Sequence, residues 1–248
     1  MRRLPAPLCR LVFSRCHSPF RLPGAGQSAP ALDEYNNRMK EQLLPLFPLK
    51  VVLFPATELP LHIFEERYKE MIGECLEHRS EFGIVLVLDE GLASTGCTAS
   101  IAEVLRKFED GRMDILVRGQ RRFELVRIDQ EKSFLRGEAQ FFEDDQDDLR
   151  RDDPRRKQAL ELYTQMAEKF VSEGSGNPPP PPELGDAHLS FQIVSRLPVD
   201  LTFRQNLLQL RSESDRIDRV ISYMQKMALR LTRMAQAQAR AGANGRSH

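Results

Sequence analysis

The sequence has no long apolar run, no excess of one charge, no paired-cysteine motif and no phosphate-binding loop, and each absence excludes a class of function. Its longest apolar stretches, such as Phe82 to Leu88, fall well short of the roughly 20 residues that cross a bilayer, so a soluble protein is expected. Lys+Arg and Asp+Glu both total 36. That balance argues against a chain dominated by nucleic-acid or membrane electrostatics. The four cysteines contain no C-x-x-C, so a zinc ribbon or thioredoxin-type site is unsupported. Reduced thiols in a cytosol-like compartment are expected. No Gly-Lys pair occurs, which removes the P-loop that cradles nucleotide phosphates, and the G-x-S-x-G of a serine hydrolase is absent too.

What is present is a globular balance. With 248 residues, 41% hydrophobic and 29% charged, the chain suits one large domain or two small ones. A chain this long buries roughly 70% of its unfolded surface, so it needs no metal or disulfide staple. Charge is unevenly placed: residues 1 to 38 hold six arginines against Asp33 and Glu34, and the first thirty positions carry no acid. This is the composition of an organelle transit peptide, mitochondrial or plastid. Pro5, Pro7, Pro19 and Pro23 would, however, interrupt the helix such peptides form. The other reading is a disordered tail, or a start displaced from Met39. Residues 1–42 are left outside the fold, and the compartment is cytoplasmic or, with a transit peptide, organellar.

Residues 43–145 read as strands around one helix. Leu43 to Leu49 is apolar but broken by Pro45 and Pro48, which suits a short edge strand. Val51 to Phe54 follows, stopped by Pro55. Phe64, Tyr68, Met71, Ile72, Cys75 and Leu76 form one stripe of an amphipathic helix. Glu65 and Glu66 in its first turn, with His78 and Arg79 in its last, match the helix dipole. Phe82 to Leu88 has the pattern of a strand buried on both faces. Ile101, Val104 and Phe108 rise to a Glu109-Asp110-Gly111 turn, Met113, Ile115 and Val117 return, Gly119 marks a break or bulge, and Arg122 to Ile128 and Phe134 to Phe142 continue. Successive short strands imply an antiparallel meander or small barrel.

Residues 146–235 read as helices. Pro154 starts one whose apolar face is Ala159, Leu162, Tyr163, Met166 and Phe170. Gly174 to Asn177 stop it, and Pro178 to Pro182 form a polyproline spacer within a loop at 174–185. Leu189, Ile193 and Leu197 mark a short helix. Thr202 with Gln205, and Ser212 with Asp215, have the capping-box spacing. The last helix runs from about Ser212 toward Arg240, with residues 236–248 expected as a disordered tail.

The run from Leu44 to Leu76, LPLFPLKVVLFPATELPLHIFEERYKEMIGECL, resembles the opening of the Lon protease N-terminal, or substrate-binding, domain. The likeness extends through Phe82 to Leu86, Gly96 to Val104, Asp110-Gly111-Arg112, Val117-Arg118-Gly119 and Arg122-Phe123. It continues into Leu197-Pro198-Val199, Gln205 to Leu208 and Asp215-Arg216-Ile217, covering roughly residues 43 to 230. Glu66 stands where many members carry proline. The resemblance implies an α+β fold, a PUA-like mixed β pseudo-barrel followed by a helical bundle. It also implies engagement of unfolded or degron-bearing proteins, and, with the motor and peptidase of a full Lon protease not expected in this chain, a separate protease or chaperone as a further partner. The sequence carries no signal for an oligomeric state.

Candidate chemistry is sparse. His62, Glu65 and Glu66 form H-x-x-E-E, one residue away from an inverted zinc motif; one histidine makes a poor zinc site, and a helix-capping or carbonyl-bonded His62 is the simpler role. Asp144, Asp145, Asp147 and Asp148 lack the spacing of a calcium loop and read as a solvated acidic loop. No catalytic residue, metal or cofactor is expected. Arg118, Arg121, Arg122 and Arg127 suggest a basic patch for RNA, the alternative function, but no aromatic platform accompanies them in sequence. The remaining clue is Pro55 to Phe64, more apolar than a loop needs. Leu59, Leu61, His62 and Phe64 either plug the barrel or line an inter-lobe groove for extended apolar segments. Glu65, Arg67 and Tyr68, with Arg122, would be its rim, and strand addition at an open edge is a further mode.

Overall fold

The computed structural model describes residues 43–146, 149–172 and 180–244. The N-terminal extension, Asp147, Asp148, the Gly174 to Asn177 stop, Pro178, Pro179 and the Phe170 side chain fall outside the described residues. Described are strands β1 (Leu44–Leu49), β2 (Glu58–Ile63), β3 (Phe82–Leu88), β4 (Gly91–Lys107), β5 (Met113–Asp129) and β6 (Arg136–Phe142). The helices are α1 (Glu66–His78), α2 (Pro154–Ser172), α3 (Leu189–Ser195), α4 (Leu201–Gln209) and α5 (Glu213–Asn244). The fold is α+β. None of these helices is long and apolar enough to cross a membrane.

The strand order is β2-β5-β4-β3-β1-β6, and β6 pairs back onto β5, so the sheet closes on itself. β3 to β6 form the expected antiparallel meander, but β1 joins β3 in parallel (Leu46↔Gly83 to Leu49↔Leu86). β1 is therefore not the edge strand its prolines suggest. Its ladder to β6 is only two pairs long, Leu44↔Gly137 and Pro45↔Arg136, so Pro48 removes no donor from that side. β2 is the edge strand instead, paired only with β5. Val51 to Phe54, read as a strand, is a loop whose Val52, Leu53 and Phe54 are buried; Pro55 and the turn after it prevent it from pairing.

β5 serves two neighbours. Met113 to Arg118 pair with β2, and Arg122 to Asp129 pair with β6. Between these halves the register with β4 moves from Ala99↔Gly119 to Cys97↔Arg122, which leaves the extra residue on β5 beside Gly119, as its sequence suggests. The glycine is required by proximity: a Cβ there would lie 2.0 Å from the Phe54 carbonyl oxygen. The two backbones are tied, since Ala56 N–H donates to Gly119 O and Gly119 N–H donates to Thr57 O, each at 2.9 Å.

The barrel encloses a small cluster of Leu46, Val85 and Phe123. The opposite face of the sheet joins α1 and the helical part in one larger core that includes Ile84, Met71, Tyr163, Phe191 and Ile217. β3 thus feeds both, which explains its unbroken apolar run. On α2, Ala159, Tyr163 and Met166 are buried as expected. Cys75 and Cys97 are buried free thiols, and burial pushes the Cys97 thiol up to about 12, which leaves it unreactive near neutrality.

Two helix ends depart from the sequence reading. Thr202 does not cap α4; Asp200 does, its carboxylate accepting from Phe203 N–H at 2.8 Å and from the Tyr223 hydroxyl at 2.9 Å. Ser212 caps α5 through Asp215 N–H at 3.0 Å, as expected. α5 then continues to Asn244, past the position where a tail was expected, because its Ala, Gln and Arg residues hold a helix without an apolar stripe. Asp200→Ala is expected to cost about 1–2 kcal/mol in thermal unfolding, with Asp200→Asn retaining most of that; equal melting of the alanine variant and the parent would show that the cap contributes nothing.

Candidate functional site

The structure splits the sequence-derived site residues into two places. Leu59, Leu61, His62, Phe64, Glu65, Arg67 and Tyr68 form a strip along β2 and into α1. The stretch read as a loop is a strand from Glu58 onward: Leu59 and Leu61 pack inward on the core while Pro60 and His62 point outward. Period-2 alternation was present, and Pro60 is tolerated because β2 lies at the edge. Tyr68 is buried against Phe47, with ring centroids 4.2 Å apart. Phe64, assigned to the helix stripe, precedes α1 and is 59% exposed.

His62 neither caps the helix nor bonds a loop carbonyl. Its Nδ1 lies 2.6 Å from Oδ1 of Asp114, its cross-strand partner on β5. The His62 ring stacks near Phe64 at 5.9 Å and meets Phe108 edge-on at 6.0 Å. Arg67 pairs with Glu65 at 2.7 Å and lies over Tyr68 at 4.6 Å. The strip therefore offers one large exposed ring, a free strand edge and a compensated pair of charges. Among the described residues no group of histidine, cysteine and acidic side chains is placed to hold a metal.

Arg122 lies elsewhere, at the junction of the β barrel and the helices. It is buried, not an exposed rim residue. Its guanidinium donates to the carbonyls of Leu208 (3.1 Å) and Leu210 (2.5 Å) and to the Asp144 carboxylate. Asp144 also accepts from Arg216 at 2.7 and 2.5 Å. Arg216 is fully buried and bonds Glu213 at 2.8 Å and Ser190 at 3.1 Å. Burial pushes the Asp144 carboxyl up, but Arg216 and Arg122 outweigh that and hold it below the ordinary carboxylate range. Asp144 is thus an ionic bridge between lobes rather than part of a solvated loop. A single sequence carries no signal for it, because its partners lie far away along the chain.

The aromatic platform absent from the sequence neighbourhood arrives through β6. Arg122 pairs with Phe142, and Phe123 with Phe141, across the ladder. Arg121 lies 4.0 Å over Phe141, and Arg122 lies 4.7 Å over Phe142. Three of the four arginines are compensated, Arg121 by Glu81 at 3.0 Å, Arg127 by Glu138 at 3.6 Å and Arg122 by Asp144, while Arg118 is exposed without an ion pair among the described residues.

Sequence reasoning missed the groove between the β3–β4 hairpin and α4. Leu86, Leu88, Leu92 and Ala93 give it an apolar barrel wall, and Leu201 with Thr202, Gln205, Asn206 and Gln209 a mostly polar helix wall, around about 590 Å³. Leu88 is 48% and Leu201 40% exposed. The signal that was available is Leu88, the last residue of an apolar run that ends against Asp89-Glu90-Gly91.

Comparison with known proteins gives this geometry a context. Residues 43–226 match the family model of the ATP-dependent protease La (LON) substrate-binding domain. A Lon N-terminal domain protein from Xanthomonas campestris is similar in structure, with TM-score 0.57 and 29% identity over 74% of this chain and 99% of that one. The N-terminal domain of a Mycobacterium avium complex Lon protease shares the fold, with TM-score 0.54 and 14% identity over 74% and 98% of the two chains. Among curated proteins, a Lon protease of Parabacteroides distasonis is 31% identical over 114 residues, 42% of this chain and 14% of that one. Lon protease 1 of Hydrogenovibrio crunogenus is 24% identical over 187 residues, 69% of this chain and 22% of that one. This chain therefore spans less than a quarter of the length of these two curated relatives. With most of its residues inside the family match, the chain belongs to the LON substrate-binding domain family.

Proposed function

We propose that this chain is a non-enzymatic polypeptide-binding module, in which the groove between the β3–β4 hairpin and α4 takes extended apolar segments of unfolded or degron-bearing proteins. The observation that carries the reading is the pair of half-exposed leucines, Leu88 and Leu201, on the walls of an open groove. Apolar burial is non-directional and tolerates many sequences. The β2 strip is the second contact: Phe64 anchors an apolar side chain, the free β2 edge accepts an added strand, and His62, Glu65 and Arg67 rim it. A separate protease or chaperone receives the bound protein. The compartment is the cytoplasm, or an organelle if residues 1–38 act as a transit peptide.

The alternative is RNA binding at Arg121 and Phe141, where a ring and a guanidinium are stacked. Pairing of Arg121, Arg122 and Arg127 with carboxylates leaves Arg118 as the one uncompensated cation of the four, which favours the polypeptide reading, because phosphate contacts need several uncompensated cations.

The test is fluorescence anisotropy with a labelled, reduced and unfolded protein. Binding is expected to persist at high salt, whereas binding through phosphate contacts falls steeply with salt. Leu88→Asp and Leu201→Asp are each expected to weaken it about tenfold, since burying a leucine is worth about 1.5–3 kcal/mol. Unchanged affinity in both variants would remove the groove from the reading, and a matching loss in Phe64→Ser would move the site to the β2 strip.

A further inference from the structure

The outward face of α5 carries a ridge of four cations. Arg219, Lys226, Arg230 and Arg233 are all exposed and have no ion-pair partner among the described residues. Their spacings of seven, four and three residues place them within about 30° of one line along the helix, over about 21 Å. The opposite face, with Ile217, Val220 and Met224, is buried in the core. After Asp218 the sequence of α5 contains no Asp or Glu, and Asp218 itself is engaged by Arg155 at 3.1 Å. We propose that this ridge receives a run of acidic residues in a bound polypeptide, adjoining the apolar segment seated in the groove. The inference rests on the polypeptide-binding reading for the identity of that chain.

Position ties the ridge to the groove. α4 is the wall between them: Leu201, Thr202 and Gln205 face the groove, and Phe203 stacks on Tyr223 of α5 at 4.1 Å. Phe203 and Tyr223 also line a cleft of about 420 Å³ with Arg219, Ser222 and Lys226. A helix is about 10 Å across, which roughly three or four extended residues span. A chain that leaves the groove over α4 meets Arg219 and Lys226 in this cleft, with Arg230 and Arg233 further along. The acids nearby are already in use. The Asp200 carboxylate accepts from Phe203 N–H and from the Tyr223 hydroxyl, and Asp215, one turn before Arg219, answers the dipole at the start of α5.

Four free cations also suit a phosphodiester backbone. The ridge, however, has no open ring for bases to stack on, since Tyr223 is half-buried and held by Phe203 and Asp200. A lipid surface asks for apolar residues gathered on one exposed face. Leu229 and Met234 are exposed, but they lie on opposite flanks of the ridge, about 140° apart. Carboxylates on an extended chain need neither a ring nor a second apolar face. The long stems of Lys226 and the arginines let each cation reach one carboxylate despite the unequal spacing.

Two measurements test this. The first compares, by anisotropy at low salt, a labelled apolar peptide flanked by four glutamates with the same peptide flanked by four glutamines. The glutamate peptide is expected to bind about tenfold tighter, as roughly three or four exposed ion pairs provide. That preference should vanish at about 1 M salt, where charges act over only about 3 Å. It should vanish too in the variant carrying Lys226→Gln, Arg230→Gln and Arg233→Gln, whose glutamines keep the helix propensity. The second measurement adds octaglutamate alone and follows backbone amide shifts, with movement expected at Lys226 and Arg230 in the parent and not in the variant. If neither flanked peptide binds, the groove reading falls while octaglutamate still judges the ridge. Equal affinities of the two peptides, or unmoved amides, overturn the ridge inference. So does single-stranded RNA of equal charge, or a vesicle of anionic lipid, that binds the parent more tightly than the glutamate peptide and loses that binding in the variant.

Discussion

Replacing Asp144 with alanine is expected to cost about 3–5 kcal/mol of stability, the usual penalty for stranding buried charges by removing their partner. Two guanidiniums depend on this carboxylate, Arg122 from the barrel and Arg216 from the helices. Arg216 keeps Glu213, so the heavier loss falls on Arg122, whose guanidinium burial already pushes down. Urea unfolding measures the effect, and a cost below about 1 kcal/mol would show that water replaces the carboxylate without strain. Asp144→Ala combined with Arg122→Met should recover part of the loss, because an apolar replacement for a buried ion pair is often neutral.

The same residue sets a pH dependence. The Asp144 carboxyl is held below its ordinary value in the folded chain. Its contribution is therefore complete above the unfolded carboxylate range, near pH 4, and is lost as pH falls through the lower folded value. The stability gap between the parent and Asp144→Asn should be constant from neutrality to about pH 5 and should close on acidification below about pH 4. A gap that widened in acid would contradict the bridging role.

Phe191→Ala is expected to have a comparable effect, about 3–5 kcal/mol. The ring is fully buried. It stacks on Phe54 of the barrel loop at 4.8 Å and on His188 at 5.9 Å, and it lies under the Arg216 guanidinium at 4.4 Å. Its removal opens a cavity where barrel and helices meet and takes the aromatic face from a buried cation at once. Phe64→Ala, at an exposed ring, should by contrast stay within about 0.5 kcal/mol. Thermal and urea unfolding of the two variants side by side separates core from surface, and similar costs would reverse the assignment of Phe64 to a binding surface.

The strands and helices that were legible in sequence are those with strong periodicity or distinctive punctuation. Met113, Ile115 and Val117 alternate, Gly119 breaks the pattern, and Pro154 opens a helix; all three stand where expected. The place of β1 is not legible, because proline content reports donors lost, not which neighbour lacks them. Nor is the loop at Val51 to Phe54, because burial alone makes a segment apolar, and a loop pressed against Gly119 is as buried as a strand. On the site, Phe64 was legible as an apolar residue in excess of local need. The groove at Leu88 and Leu201, the bridge at Asp144 and the ring of Phe141 beside Arg121 were not, since each joins residues brought together only by the closed sheet and the helices laid on it.

The bridge from Asp144 to Arg216 also bears on synthesis. The barrel can close once β6 has emerged, but Arg216 follows only in the last helix, a delay on the order of several seconds at ordinary elongation speeds. During that interval the nascent barrel carries Asp144 and Arg122 with only each other for charge partners, and with the apolar face that later meets Phe191 open to water.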